Sequence, residues 1–496
     1  MISLLPVIMT LVVALSLRNV LVGLFAGIVT GSVLTLDAGI LQFLPAMIGT
    51  YLVPEVADTY NASVLVLLAF IGGFVRLIRW SGGGAAFAGT ATRYVVNKAR
   101  AQLGAWAAGI AIFFSDLGTP LIVGPVFQPL ADRLELSRQK LAFILDSTSS
   151  PVAILIPFIG WGVFIMSVIG DAFAVNGIDR SEWDAFVAAI PYQLYAWLAI
   201  FMVPALTLLR FDYGPMRNAG TVLREEDTAA GPPGDDERAE SARPVTVWLP
   251  LVVLGTALFA TLGELGFPFE QIAGSDFRAG LAAAYLLAAL ALVGLILWQR
   301  IGRLVDTFVV YVEGMSGMLP IAATLVLAWG LGEVSSVLGT GAYVAGVAGD
   351  FVSGWSLPAI TFVLAAVISF ATGSSWGTIV IMMPLAVPAA VATDATLPIV
   401  IGSVLSGGLF GDHSSPVSET TLLSSTGAGT TPLAHFTTQL PYALTNGAIA
   451  LAGFLLATWL DSVWLAAVLI AVQVGVLLAI RRQVGRTTRK TRAAGP

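Results

Sequence analysis

The sequence predicts an all-α polytopic membrane protein, on two observations: its composition and the spacing of its apolar runs. Of 496 residues, 57% are hydrophobic and 11% charged, against roughly 45–50% and about 25% in soluble domains. The 52 Gly and 25 Pro residues lie largely inside apolar sequence, poor material for a water-soluble bundle but common in membrane helices. With about 20 apolar residues needed per crossing, the length allows about ten to a dozen crossings and little else.

The apolar runs fall near 2–17, 19–36, 62–80, 141–170, 188–209, 245–263, 277–297, 314–337, 397–430, 441–460 and 463–480, about 11 transmembrane helices by this spacing. No basic stretch precedes Ile2, so the first run reads as a retained span rather than a cleaved signal. Arg481, Arg482, Arg486, Arg489, Lys490 and Arg492 crowd the end of the chain, which the positive-inside bias assigns to the cytoplasm. Counting spans back from there puts the N-terminus outside, in the cell membrane of a prokaryote. The stretch 211–244 contains REEDTAAGPPGDDERAESARP and has no apolar periodicity; it cannot bury enough surface to offset its ordering entropy and is expected to be a disordered cytoplasmic linker. It separates a first membrane repeat, 1–210, from a second, 245–460, and 461–496 adds one transmembrane helix and the basic tail.

The two halves resemble each other. GAAFAG at 84–89 matches GAYVAG at 341–346, GTPLIVGP at 118–125 matches GTIVIMMP at 377–384, and STSSP at 147–151 matches DHSSP at 412–416. The offsets drift in order, as in a duplication. The apolar stretch 102–132 is basic at both ends (Lys98, Arg100, Arg133), whereas its counterpart 356–392 is flanked by Asp350 and Asp394. Each is therefore expected to enter and leave by one face, and by opposite faces. That is an inverted-topology repeat with two re-entrant hairpins, whose sites lie at mid-membrane on interrupted helices. The tips, SDLGTP at 115–120 and TGSSWGT at 372–378, would be irregular, which at that depth is tolerated only where backbone is buried or lines a cavity.

A second interruption in each half, DSTSSP at 146–151 and GDHSSP at 411–416, puts small hydroxyl residues before a Pro. Freed carbonyls and hydroxyl oxygens suit a hard, desolvated cation such as Na⁺, although a single Ser or Thr in a membrane helix usually bonds backbone. The matched clusters mark Thr119, Ser147, Ser149, Ser150, Thr372, Ser374, Ser375, Thr378, Ser414 and Ser415 as candidate cation ligands. Intramembrane carboxylates are costly and functional by default. Asp412, at the break, is the first choice for a carrier of proton or cation, with Asp116 and Glu419 as alternates. His413 would be a pH-sensitive neighbour. Asp146 stands six residues from Lys140, so interface and site are equally open to it.

Several classes are excluded. The chain has no Cys and only two His, His413 and His435, which removes disulfides, thiolate chemistry and transition-metal sites. A net charge of −6 is no nucleic-acid signature. There is no phosphate loop or zinc-protease motif. Adjacent Asp412, His413 and Ser414 cannot converge as a triad from one helix. No enzyme, and no cofactor beyond the transported ions, is expected.

GDHSSPVSETTLLSSTGAG at 411–429 and FATGSSWGTIVIMMPLAVP at 370–388 resemble the signature segments of the NhaC family of Na⁺/H⁺ antiporters. The likeness extends more weakly through the first half and the opening LLPVIMTLVVALSLRNVLVGLFAGIVTGSVL. Family members usually carry Cys where Ser414 stands and Asp where Glu419 stands. The resemblance implies a plan like that of the broader ion-transporter superfamily, with Na⁺, H⁺ and the lipid bilayer as partners. It implies export of cytoplasmic Na⁺ in exchange for H⁺, one buried carboxylate holding either a proton or Na⁺. The competing expectation is a Na⁺- or H⁺-coupled carrier of a small organic anion or amino acid, though no mid-span Arg or Lys stands ready for such a solute. Oligomeric state, a homodimer included, is left open.

Overall fold

In an apolar solvent every backbone N–H and C=O must be satisfied within the chain, which leaves helices as the economical solution for so charge-poor a sequence. The computed structural model describes residues 2–17, 19–36, 40–84, 86–87, 96–114, 116, 118–219, 242–264 and 274–493, and these contain helices and no strand. In chain order the α-helices are α1 Leu5–Leu17, α2 Val20–Thr35, α3 Ile40–Met47, α4 Val53–Ala57, α5 Thr59–Trp80, α6 Lys98–Ala111, α7 Gly118–Arg133, α8 Arg138–Ser147 and α9 Ser150–Ala153. Then follow α10 Gly160–Val175, α11 Glu182–Ala189, α12 Leu194–Leu209, α13 Val245–Glu264, α14 Gly274–Trp298, α15 Leu304–Ser316 and α16 Leu319–Val337. The chain closes with α17 Thr340–Phe351, α18 Leu357–Thr372, α19 Ser375–Ala392, α20 Leu397–His413, α21 Glu419–Ala428, α22 Pro432–Leu460 and α23 Leu465–Ala493. Among the described residues seven helices are long and apolar enough to cross a membrane, or eight if the α11–α12 pair, bent by 45°, is one span. Four shorter apolar helices, Ile2–Leu17, Val20–Thr35, Gly160–Val175 and Leu357–Thr372, accompany them.

Local chemistry sets the interruptions. Asn97 and Ser137 cap α6 and α8 by accepting from the backbone N–H of Arg100 and Lys140, the role in which short polar side chains satisfy orphan donors. α18 stops at Gly373, whose φ of +67° is a left-handed conformation that favours glycine, and Ser374 then caps α19. After α20, Pro416 prevents simple continuation, and Ser418 caps α21 through the Thr421 N–H.

Each of the two segments expected as hairpins forms a helix–break–helix unit whose ends lie together. Lys98, at the start of α6, pairs with Glu135, just past the end of α7, at 3.5 Å. Gly354, before α18, lies against the Thr393 carbonyl at the end of α19. The α11–α12 span relates them: Tyr192 sits against Gly402 near the start of α20, and at the far end Thr207 donates to Gln102 near the start of α6, at 3.0 Å. The two hairpin mouths accordingly lie toward opposite ends of the bundle. Ser115 and Leu117 of the first tip, and part of 84–89, lie outside the described residues.

Each hairpin rests on the other half. α7 crosses α21 so closely that a Cβ at Gly124 would lie 2.2 Å from the Gly427 carbonyl, and one at Gly427 would lie 2.2 Å from that of Pro120; only glycine permits this approach. Reciprocally, Trp376 of α19 packs on Trp161 and Phe164 of α10, with ring centroids at 4.2 and 4.5 Å.

The expected linker boundary needs correction. Residues 211–219 belong to the folded body, because Asp212 accepts from both Lys140 and Tyr442 at 2.6 Å, Tyr213 donates to Thr445 at 2.8 Å, and Met216 is buried. Residues 220–241 lie outside the described residues. Lys140 is likewise no surface cation: it is 2% exposed and sits over the Phe143 and Tyr442 rings. Removing one partner of a wholly buried ion pair costs about 3–5 kcal/mol, whereas an apolar replacement of both can be neutral; here Asp212 is one-third exposed and keeps the Tyr442 hydroxyl, so the loss falls below that range. Lys140→Ala should thus lower the melting temperature of the detergent-purified protein markedly, and Lys140→Met combined with Asp212→Leu should recover most of the loss.

Candidate functional site

The two interrupted helices α8 and α20 end facing each other, and their last turns bring buried charge together where the backbone is broken. In the second half, Asp412 is 2% exposed and accepts from the Ser418 hydroxyl at 2.8 Å and the Thr420 hydroxyl at 2.6 Å. Both donors come from the start of α21, so the same Pro-containing break that frees backbone also wraps hydroxyls around the carboxylate. Ser414, next along, is buried with its hydroxyl unpartnered.

In the first half, Asp146 is fully buried. It accepts from the Gln439 amide and from Ser424 at 3.3 Å, with His435 Nε2 at 3.5 Å and His413 Nε2 at 4.0 Å. Gln439 also donates to the His413 carbonyl at 3.2 Å, and His413 Nδ1 lies 3.3 Å from the Tyr195 hydroxyl. This network joins α8, α12, α20, α21 and α22, and so both halves of the chain.

The hydroxyls named from sequence fall into different settings. Thr119, Ser149, Thr372, Thr378 and Ser415 donate to backbone carbonyls at 2.8–3.0 Å, and Ser374 is a helix cap. Ser147 and Ser375 are buried, while Ser150 and Ser414 are buried without a hydrogen-bond partner. The second hairpin abuts the second break, since Ser415 donates to the Phe370 carbonyl and Gly373 lies against Val417. The first hairpin abuts the first break through Gly109 against Thr148.

Asp116 sits apart, at the first tip, where its carboxylate accepts the Trp161 indole N–H. With Phe114, Trp161 and Trp376 it borders a largely apolar cavity between the tips. Glu419 is exposed in the first turn of α21, where a negative charge favours the helix N-terminus. Of the three candidate carriers, only Asp412 lies within the network between the breaks.

Sequence leaves Asp146 open between interface and site and assigns no role to His435 or Gln439, yet signals for them exist. His435 and Gln439 stand four apart in an apolar segment, hence on one helix face. DSTSSP carries its carboxylate one position earlier than GDHSSP, a rotation of about 100° on a helix, so the two acids serve different neighbours.

These features, broken helices meeting at buried carboxylates between two hairpins in an apolar bundle, are those of a polytopic membrane transporter. The Na⁺/H⁺ antiporter family matches residues 152–459, and the chain belongs to that family. An uncharacterized protein of Haemophilus influenzae is 31% identical over 479 residues, 91% of this chain and 90% of the relative. The malate-2H(+)/Na(+)-lactate antiporter of Bacillus subtilis is 36% identical over 80 residues, 16% of this chain and 17% of that one. In fold the chain is similar to the crystal structure of the Alcanivorax borkumensis YdaH transporter, with TM-score 0.59 at 16% identity over 86% of this chain and 90% of that one.

Gln439 gives Asp146 its shortest hydrogen bond, in a fully buried site. Gln439→Leu keeps the volume and removes the donor, which for a buried charged acceptor costs about 1–3 kcal/mol or more. The expected outcome is a lower thermal midpoint of the purified protein, with Gln439→Asn intermediate.

Proposed function

We propose that the protein is a secondary antiporter that expels cytoplasmic Na⁺ in exchange for external H⁺, with Asp412 as the carboxylate that holds one or the other. The N-terminus is taken as external and the basic C-terminus as cytoplasmic. The opposite hairpin mouths, matched motifs and reciprocal packing support an inverted repeat, an architecture suited to alternating access around a fixed central site.

The observation that carries the reading is the shell around Asp412. Its partners are neutral hydroxyls rather than a fixed cation, and the hydroxyl of Ser414 is left over. Hydroxyls can rotate. With a cation present they turn lone pairs inward, and a carboxylate plus neutral oxygens is a hard-cation donor set. With the proton present the site is neutral and needs no ion. Competition between the two for one carboxylate is the exchange step, and burial makes the empty, charged state unfavourable.

Asp412→Asn preserves size and hydrogen bonding but cannot exchange a proton. In proteoliposomes, Na⁺-dependent dissipation of a pH gradient should fall to background in this variant while the protein still inserts. Retained exchange there, with loss in Asp116→Asn or Glu419→Gln, moves the carrier to that residue; activity in all three refutes the antiport mechanism. Among the hydroxyls, Ser414→Ala and Thr420→Ala should raise the apparent Km for Na⁺ about 5- to 30-fold, each removing roughly 1–2 kcal/mol of interaction, with smaller effects at Thr372 and Thr378, whose hydroxyls serve the backbone.

A second reading, a Na⁺- or H⁺-coupled carrier of a small organic anion, draws support from the exchange named for the Bacillus subtilis relative and from the cavity beside Trp161 and Trp376. It ranks below the first because, among the described residues, that cavity is bordered by Asp116 and by no Lys or Arg. Stimulation of proton or Na⁺ movement by malate or lactate, absent with Na⁺ alone, would favour it.

A further inference from the structure

A cleft of about 1210 Å³, its open mouth included, lies away from both buried carboxylates, at the end of the bundle that the proposed topology assigns to the cytoplasm. It is bounded by the start of α6, the end of α12 and the turn that follows α12. All three supply positive charge to it: Lys98, Arg210 and Arg217. Its neutral polar groups are turned to donate. The Gln102 Oε1 accepts from the Thr207 hydroxyl at 3.0 Å and the Asn97 Oδ1 from the Arg100 N–H at 2.9 Å, so each amide has its NH₂ group to offer. Among the described residues lining the cleft the one carboxylate is Asp212, and its Oδ1 already accepts from Lys140 and Tyr442 at 2.6 Å. Lys98 meets Glu135 at 3.5 Å with both side chains more than half exposed; such a pair is weak and yields to a better-placed anion.

The outcome is a concave surface of donors and positive charge, the complement of a phosphate, whose ionised oxygens accept. Position in the membrane says which phosphate. Arg210 follows directly on Leu209, where the membrane-crossing pair α11–α12 ends, so these groups stand at headgroup level. Leu206 and Phe211 add an apolar wall, of no use to inorganic phosphate but suited to the glycerol and first acyl carbons of a lipid.

We propose that this cleft binds the phosphodiester headgroup of an anionic phospholipid of the inner leaflet, with Lys98, Arg210 and Arg217 as its charged contacts. Basic pockets between membrane helices on the cytoplasmic side recognise such headgroups. Lys98 belongs to the mouth of the first hairpin and Arg210 to the end of α12, so one bound headgroup ties that hairpin to the span beside it. The lipid site stands whichever ion Asp412 carries.

The test is equilibrium binding of phosphatidylglycerol with a fluorescent acyl chain to the full-length protein in neutral-detergent micelles, with phosphatidylcholine of the same chain as reference. The wild type should prefer phosphatidylglycerol. At about fivefold per basic group near an anionic headgroup, the triple variant Lys98→Gln, Arg210→Gln, Arg217→Gln should bind it about 100-fold more weakly, and Lys98→Gln alone about fivefold. Removing the same kind of charge from the basic tail, by Arg481→Gln with Arg482→Gln, should leave binding unchanged. All three cleft side chains are exposed, so the lipid-free triple variant should keep the wild-type thermal midpoint. No preference over phosphatidylcholine in the wild type, undiminished binding by the triple variant, or an equal loss in the tail variant overturns the site. Displacement by inorganic phosphate at matched ionic strength, as effective as by unlabelled phosphatidylglycerol, overturns it too by assigning the cleft to a soluble anion.

Discussion

The structure depends on keeping a buried carboxylate satisfied where the backbone has been deliberately broken. Asp146 lies at the last turn of α8, and every group that steadies it comes from the other half of the chain: His413, Ser424, His435 and Gln439. An unsatisfied ionised carboxylate in an apolar bundle would cost several kcal/mol, so this cluster fixes how the halves dock. The hairpins, the helix breaks and the glycine crossing can be understood as what is needed to bring those donors to that point without leaving free backbone groups in lipid.

The same economy explains the different fates of the hydroxyls. Where a break exposes carbonyls, nearby Ser and Thr are mostly recruited to close them, as with Thr372, Thr378 and Ser415. Side-chain oxygens become available to an ion only where the backbone is already satisfied or where a carboxylate takes the hydroxyl proton. Asp412 with Ser418 and Thr420 meets that condition. Counting hydroxyls near a break therefore overstates the ligand set, and their hydrogen-bond assignments narrow it.

Much of this was legible beforehand. Composition and run spacing suffice for a helical membrane bundle, and the Gly-Thr tips and Pro breaks mark where helices stop, because those residues act through local backbone chemistry. What composition hides is pairing across the chain. Lys140 looks like an interfacial anchor until Asp212, 72 residues on, is found against it, and the segment 211–219 looks like linker because Asp212 and Tyr213 have partners only in the folded state. His435 and Gln439 share a helix face in sequence but gain meaning only beside Asp146. Asp116 and Glu419 have the right chemistry, but helix geometry directs one to a tip and the other to an exposed first turn.

The crossing of Gly124 on Gly427 also bears on biogenesis. The two glycines are 303 positions apart (427 − 124), so α7 emerges from the ribosome long before the helix it lies on. At about 5–20 residues per second that interval is roughly 15–60 s. Through it a proline-bearing helix, with Pro125 and Pro129, has no final neighbour along that face. Membrane insertion of the first hairpin must then be either delayed or sheltered, and the late half of the chain sets the pace at which the early half matures.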